Sequence, residues 1–158
     1  MKKLVLIVLS VLLVFTSCNK KTETTQDHLA RIKESGFLTV AMEGTWAPWT
    51  YHDENDVLTG YDVDVASAIA QKLGVKASFI EGEWDGLFAG LDAGRYDIVA
   101  NGVDITEERS QKYSFTTPYA YNKTAVIVSS DREDITSFND LKDKKTANTI
   151  SSTYAQVA

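Results

Sequence analysis

The chain has 158 residues, and its 22 aspartates and glutamates outnumber its 16 lysines and arginines, which gives a formal net charge of −6. This length suits one ordinary domain. An acidic chain is not expected to bind nucleic acid or anionic lipid through general electrostatics, and a single cysteine excludes an internal disulfide. His28 and His52 are isolated, and no nucleophilic triad, phosphate-binding loop or paired-cysteine motif is present. We therefore expect no metal, no cofactor and no nucleic-acid partner.

The N-terminal residues have the pattern of a secretory signal. A lysine-containing start is followed by the apolar run Leu4–Phe15, which is shorter than the ~20 residues of a spanning helix. The stretch "FTSC", which ends at Cys18, resembles the lipobox of bacterial lipoproteins. This resemblance implies a lipoprotein signal peptide over 1–17, a lipid (palmitate) anchor on Cys18 and a position at the cell membrane, facing the periplasm or the cell exterior. A short membrane anchor that stays attached is the alternative.

Polar residues 18–35 follow and are predicted to form a tether, although "LARIKESG" within them also suits a short helix. Beyond them, three short stretches predict strands at Phe37–Met42, Lys76–Glu81 and Tyr96–Ala100, the last of which is an apolar run that reads as buried. Residues 43–60 read as loop and turn.

Two amphipathic helices are predicted between these strands. The first runs from Asp62 to Leu73, with Asp62 as candidate N-cap, Gly74 as candidate C-terminal stop, and an apolar stripe of Val65, Ile69 and Leu73. In the second, the spacing of the apolar residues is i, i+3, i+4 and i+7, given by Trp84, Leu87, Phe88 and Leu91. The order strand–helix–strand–helix–strand predicts an α/β domain with a largely parallel sheet.

The pattern changes after Phe115. Residues 116–130 are predicted to be extended and to end in an apolar strand, and residues 144–150 are predicted to form another strand. A short helical stretch is expected within 131–143. A further helix is expected to begin in 151–158.

Ligands of open α/β sheets bind beyond the carboxyl ends of the strands. Arg109 has a planar fork that matches a carboxylate, whereas Asp104 and the backbone near Gly102 suit an ammonium group. Trp46 and Trp84 can close over a side chain. The set therefore suits a zwitterion. These residues come from the three predicted strand ends, 43–49, 81–84 and 101–109.

Each of these residues also has a structural interpretation. Arg109 follows Glu107 and Glu108 and can belong to a solvated charge cluster. Trp84 begins an apolar helix stripe, and Asp104 can cap the turn that follows it. Trp46, together with Trp49, can cover the sheet edge.

Four stretches together resemble the polar amino-acid-binding proteins of ABC importers, a family of two-lobed solute-binding proteins. "GYDVDVASAIAQKL" (Gly60–Leu73) fits the family signature at every restricted position. "EGTWAPWTY", "WDGLFAGLDAGRYD" and "DITEERSQKYSFTTPY" resemble three further blocks in family order and spacing. The resemblance covers residues 35–158. It implies a periplasmic-binding-protein-like fold of type II, a polar amino acid as ligand, ABC permease subunits as partners, and no enzymatic activity.

By position, the resemblance makes Arg109 the clamp for the ligand α-carboxylate. Trp46 and Trp84 become the aromatic pair around the ligand side chain, and Glu43 matches an acidic pocket position. Gly102 and Asp104 match positions whose backbone and side chain take the α-amino group and the carboxylate. Asp104 departs from the Thr, Ser or Gly that is commoner at its position, so its role is either an amino-group partner or an unfavourable like charge near a carboxylate.

In the second lobe, Ser151 and Ser152 match a turn at a helix N-terminus, where backbone N–H groups and the helix dipole would complete the carboxylate site. Ile150 replaces the glycine that usually precedes this turn. The form "TANTISSTYA" resembles the subgroup that binds cystine and related polar amino acids.

The resemblance also divides the chain. Residues 36–121 are predicted to form the first lobe without its returning C-terminal segment, and residues 122–158 the hinge crossing and the start of a truncated second lobe. Two other classes share this fold: cyclohexadienyl dehydratases, which activity on prephenate or arogenate would reveal, and sensor domains fused to kinases or channels.

Overall fold

The structure, a computed structural model, describes residues 27–157, so the predicted signal peptide and Cys18 lie outside the described residues. Its helices are α1 His28–Ser35, α2 Tyr61–Leu73, α3 Trp84–Asp92, α4 Glu107–Lys112 and α5 Thr153–Val157, with a 3₁₀ helix at Phe138–Leu141. Its strands are β1 Phe37–Met42, β2 Thr45–Trp46, β3 Thr50–His52, β4 Leu58–Thr59, β5 Lys76–Glu81 and β6 Ile98–Val99. None of the helices between residues 27 and 157 is long and apolar enough to cross a membrane.

The main sheet is parallel and has the strand order β5–β1–β6. This confirms the three predicted strands and their parallel arrangement. The third strand is shorter than predicted, and the buried Tyr96 before it donates its hydroxyl to the carbonyl of Leu87 in α3. Backbone pairing nevertheless continues beyond the strand, since the amides of Asp97 and Ala100 donate to β1 carbonyls at 2.9 and 3.0 Å.

The core lies between this sheet and α2. On the sheet side, Val40 and Met42 are fully buried. On the helix side, the buried apolar residues are Val63, Ala66 and Ala70, and not the predicted stripe. The small alanines let the helix approach the sheet closely, which leaves the larger side chains half-buried at the flank: Val65, Ile69 and Leu73.

The predicted cap of α2 is also wrong. The helix begins at Tyr61 after Gly60, which makes no side-chain cap. Asp62 lies inside the first turn and is completely buried. Gly74 has a left-handed φ of 78° and ends the helix, as predicted.

Residues 43–60, predicted to be loop, contain a second sheet. Strands β2, β3 and β4 pair antiparallel in chain order, with Thr45 opposite Tyr51 and Tyr51 opposite Thr59. The strands have only two or three residues each, too few for an alternating pattern to be visible in the sequence. This small sheet carries Trp46 over the carboxyl end of β1.

Helix α1 occupies the second half of the predicted tether and belongs to the folded unit. Its Ile32 is part of the main core cluster. Arg31 forms an ion pair with Asp97 at 2.7 Å, and Asp97 also accepts from the amide and hydroxyl of Thr39. The helix alternative is therefore the observed one for residues 28–35.

Two predicted strands are absent from the described part of the chain. Residues 121–128 have no regular secondary structure, and Ile127 is 97% exposed. Residues 144–150 are likewise irregular. A strand needs backbone partners on a neighbouring strand, and no residue between 27 and 157 pairs with either segment. The expected short helical stretch is the 3₁₀ helix, and α5 is the helix expected after residue 150.

Candidate ligand-binding site

A cleft of about 240 Å³ opens at the carboxyl ends of β1 and β6, beneath the small antiparallel sheet. Seven of the eight predicted ligand-binding residues line it: Glu43, Trp46, Trp84, Gly102, Asp104, Arg109 and Ser152. Its other lining residues are Asn101, Asn148, Thr149, Thr153 and Tyr154. The position agrees with the general rule for ligands of open α/β sheets.

Glu43 directly follows β1 and is held by Asn101. The Asn101 side-chain amide donates to Glu43 Oε2 at 2.6 Å, and Asn101 Oδ1 accepts from the Glu43 backbone N–H at 2.8 Å. The buried Thr50 donates its hydroxyl to the same Oδ1 at 2.8 Å. These bonds fix the Glu43 carboxylate at the cleft wall without neutralising it.

Gly102 forms the turn after β6 and has a φ of 58°. A Cβ at this position would lie 3.0 Å from ring carbons of Trp49 and 3.1 Å from Nε1 of Trp46. Only glycine accommodates both this backbone conformation and the close approach of the two indoles. The Gly102 N–H donates to Asp62, so the carbonyl is the backbone group of Gly102 that remains for a ligand.

Arg109 lies in the first turn of α4, where its backbone N–H donates to the capping hydroxyl of Thr106 at 3.2 Å. The guanidinium carbon is 5.2 Å from the ring centroid of Trp84 and 5.5 Å from that of Phe88. Nη1 donates to the carbonyl of Asp104 at 3.0 Å. Within residues 27–157, Arg109 has no carboxylate within ion-pair distance, which argues against the charge cluster with its two preceding glutamates.

Asp104 does not cap the following helix, because Thr106 does so. Its Oδ2 accepts a hydrogen bond of 2.6 Å from the hydroxyl of Thr153 at the start of α5. The carboxylate therefore joins the two sides of the cleft. It keeps its second oxygen for other donors.

The two predicted aromatic residues both line the cleft and pack against different neighbours. Trp46 is 40% exposed and packs against Tyr154, with ring centroids 6.3 Å apart. Trp84 is half-buried and meets Phe88 edge to face at 5.7 Å. Trp84 also packs against the buried Leu87 cluster, so it serves the core and the cleft together.

The two predicted serines separate. Ser152 lines the cleft and accepts from the Ala155 N–H at 3.3 Å at the start of α5. Ser151 does not line the cleft, because its hydroxyl donates to Asp85 in the first turn of α3. The prediction that Ser151 faces the site is therefore not met in this structure.

Sequence reasoning missed five lining residues. Asn101 follows a buried strand directly, and its polar side chain at a strand end was a usable signal. The other four lie in the segment from Asn148 to Tyr154, where no pattern indicates which residues face the first sheet.

The charges of the cleft fit a zwitterion. Glu43 and Asp104 supply two carboxylates, and Arg109 supplies one guanidinium. In the part of the chain that the structure describes, none of the three has an ion-pair partner, and no group of three or more metal-ligating side chains occurs. An ammonium group and a carboxylate can thus both be matched, with aromatic rings on either side.

A parallel sheet that holds such a cleft at its carboxyl edge defines a solute-binding lobe. The family model described as bacterial extracellular solute-binding proteins, family 3, matches residues 38–157, and the chain belongs to that family. The L-cystine-binding protein TcyA of Bacillus subtilis is 45% identical over 133 residues, which are 84% of this chain and 49% of the relative.

Solved structures agree with this assignment. The arginine-bound form of domain 1 from TmArgBP has a TM-score of 0.55 and 37% identity, over 56% of this chain and 71% of that one. An ancestral cyclohexadienyl dehydratase has a TM-score of 0.56 and 40% identity, over 58% of this chain and 38% of that one. These likenesses confirm the predicted α/β class and type II fold. The chain spans about half the length of the curated relatives it matches.

Proposed function

We propose that the chain belongs to the extracytoplasmic substrate-binding component of an ABC importer for a polar amino acid such as cystine. One observation carries this proposal. Arg109 is held between Trp84 and Phe88 at the cleft with no carboxylate partner in the described residues, while two carboxylates line the same space. A guanidinium fixed in this way is prepared for a ligand carboxylate.

In the proposed complex, the ligand α-carboxylate binds Arg109 and the N-terminal turn of α5 at Ser152. The α-amino group binds Asp104 and the carbonyl of Gly102. Glu43 takes a further donor of the ligand, such as the second amino group of cystine. The ligand side chain lies between Trp46 and Trp84.

The proposal includes the cellular setting. A lipid on Cys18 would anchor the protein to the membrane on the periplasmic or outer side, and ABC permease subunits would receive the ligand. Residues 36–121 would form the first lobe, and residues 122–158 the crossing and the beginning of the second. The family description supports the extracytoplasmic position, and the name of the cystine-binding relative supports an amino-acid ligand.

An enzyme of the cyclohexadienyl dehydratase class is the second candidate, because one such ancestral enzyme shares the fold at 40% identity. The cleft favours binding over this activity, since two indoles, Trp46 and Trp84, line it and suit a ligand side chain. The family and the named binding protein among its relatives favour binding over catalysis.

Titration calorimetry with a panel of amino acids tests the proposal. We expect a polar amino acid to bind the chain, and to bind more tightly when the chain is extended with the second lobe of TcyA, because a second wall then closes over the ligand. Equal affinities with and without that lobe would contradict the assignment of the site. Conversion of prephenate or arogenate by the extended protein would favour the enzyme instead.

A further inference from the structure

Asp62 is the buried acid of the signature stretch, and the ligand site does not use it. It is 0% exposed and does not line the cleft. Its Oδ2 accepts the Gly102 N–H at 2.5 Å, and its Oδ1 accepts the hydroxyl of Tyr119 at 2.7 Å. One carboxylate therefore joins Gly102 and Tyr119, which are 17 residues apart in the sequence.

Asp62 is itself held firmly. It lies in the first turn of α2, where the helix dipole stabilises a negative charge. Its backbone N–H donates to the carbonyl of Trp49 at 3.0 Å, and the preceding Tyr61 N–H donates to the carbonyl of Pro48 at 3.0 Å. The carboxylate is thus a fixed point of the first lobe.

The two hydrogen-bond donors to Asp62 belong to two different segments of the chain. Gly102 opens the ligand loop, residues 101–109, which carries Asp104 and Arg109. Tyr119 lies in residues 116–121, the last part of the proposed first lobe, here called the crossing segment because it leads into the crossing proposed to begin at residue 122. Tyr61 also holds this segment, because its hydroxyl donates to the Tyr119 carbonyl at 3.1 Å and the two rings lie 6.0 Å apart.

We infer that Asp62 is a positioning residue of the ligand site, which ties the ligand loop to the crossing segment through one carboxylate. A displacement of the crossing segment then changes the hydrogen bonding of Gly102 and, through it, the placement of Asp104 and Arg109. The effect on ligand affinity rests on the proposed function. The link between the two segments does not.

The substitution Asp62→Asn separates this role from simple burial. Asparagine has nearly the same volume, but its side chain offers one acceptor oxygen where the carboxylate offers two. The Gly102 N–H then donates to a neutral amide oxygen, and the Tyr119 hydroxyl keeps a bond only by accepting from the amide NH2, so both bonds lose their charged acceptor. Asp64→Asn is the matched control, because Asp64 lies in the same helix turn and in the same signature but is exposed.

Amide hydrogen exchange of the folded chain measures the link directly. We expect Asp62→Asn to accelerate exchange of the Gly102 amide by about tenfold, which corresponds to replacing a charged hydrogen-bond acceptor by a neutral one. The Ala100 amide, which donates to Ala41 at 3.0 Å, should keep its rate and serves as the local reference. Asp64→Asn should change neither rate.

An unchanged Gly102 rate in Asp62→Asn, or the same change in Asp64→Asn, would overturn the inference. If Asp62→Asn does not fold, Tyr119→Phe is the deciding variant. It removes only the hydrogen bond from Tyr119 to Asp62 and should still accelerate exchange of the Gly102 amide. An unchanged rate at Gly102 in this variant would overturn the link.

Amino-acid affinity gives the second readout: we expect about tenfold weaker binding in Asp62→Asn. Faster exchange with unchanged affinity would overturn the positioning role, and absence of binding in the parent protein would overturn the proposed function while the exchange result stands.

Discussion

The guanidinium of Arg109 lies over the indole of Trp84, with its carbon 5.2 Å from the ring centroid. This contact holds the charged group at the cleft wall by cation–π attraction and leaves its N–H groups, apart from the one bonded to the Asp104 carbonyl, for a ligand. In the proposed complex Arg109 and Trp84 would act together, since the ring proposed to line the ligand side chain also orients the proposed carboxylate clamp.

Arg109→Ala should remove detectable amino-acid binding and leave the fold intact. Truncating one side of a desolvated charge pair costs on the order of 2–5 kcal/mol, or roughly 30- to several-thousand-fold in affinity. Arg109→Lys should restore only part of the affinity, because a point charge does not reproduce the planar fork. Titration calorimetry measures both variants, with Arg95→Ala at an exposed arginine as the control. Binding within a few-fold of the parent in Arg109→Ala would place the clamp elsewhere.

Gly102→Ala should destabilise the fold more than Gly94→Ala. The two glycines have similar left-handed φ angles, 58° and 66°, so the backbone strain of an alanine is about the same at both. Only the Cβ at position 102 meets other atoms, at 3.0 Å from Trp49, whereas nothing lies within 4 Å at position 94. We expect overpacking at Gly102 to add about 1–3 kcal/mol to the loss of unfolding free energy.

Urea unfolding of the two variants measures this difference. Gly102→Ala should also weaken amino-acid binding, because the shifted indoles line or adjoin the cleft. Equal losses in the two variants would show that the tryptophans move aside without cost.

Tyr119 should make stability fall in alkali. Burial, and next the hydrogen bond to Asp62, raise the pKa of the Tyr119 phenol above its usual value. A group whose pKa is raised on folding keeps its proton longer in the folded state, so its contribution is fully present below about pH 10 and is lost as the pH rises further. The free energy of unfolding should therefore decrease above about pH 10.

Tyr119→Phe should flatten this decrease, measured by urea unfolding between neutral and strongly alkaline pH. Some slope should remain, since burial also raises the pKa of Tyr96 and Tyr113. Tyr121→Phe is the control, because that side chain is 89% exposed. A slope that is identical in Tyr119→Phe and the parent would contradict the prediction.

Cys18 should carry a lipid when the full chain is expressed in a bacterium. We expect incorporation of labelled palmitate into the parent and none into Cys18→Ser, because the lipobox reaction requires the thiol. Cell fractionation should find the parent with membranes. Equal labelling of both proteins, or of neither, would count against the lipoprotein signal.

The main sheet could be predicted because β1 is almost entirely apolar, β5 carries Ala77, Phe79 and Ile80, and both strands are followed by a turn that contains an acid and a glycine. The antiparallel sheet could not, because strands of two or three residues such as Thr45–Trp46 have no period to detect. The buried face of α2 was predicted wrongly, and the cause is physical. A helix packed closely on a sheet buries alanines, and Ala66 and Ala70 weigh little in a search for large apolar residues.

For the site, the spacing made Arg109 a candidate but left a surface charge cluster open, and Glu43 was chosen through the family resemblance; both residues line the cleft. The role of Asp62 was missed because it looked like a helix cap, and only the fold brings Gly102 and Tyr119 to its two oxygens. Thr153 and Tyr154 could not be chosen, because their contacts depend on how a distant segment returns to the first sheet.

The crowding of indoles around Gly102 also has a spectroscopic consequence. The chain has three tryptophans; Trp46 and Trp84 line the cleft, and Trp49 packs against the glycine beside them. When excitation selects tryptophan over tyrosine, the intrinsic emission of the unlabelled protein therefore comes from the neighbourhood of the cleft, with no remote indole to dilute it. Ligand entry that displaces water from Trp46 and Trp84 should shift the wavelength of this emission. Single replacements of these tryptophans by phenylalanine would assign the shift to one of the two residues.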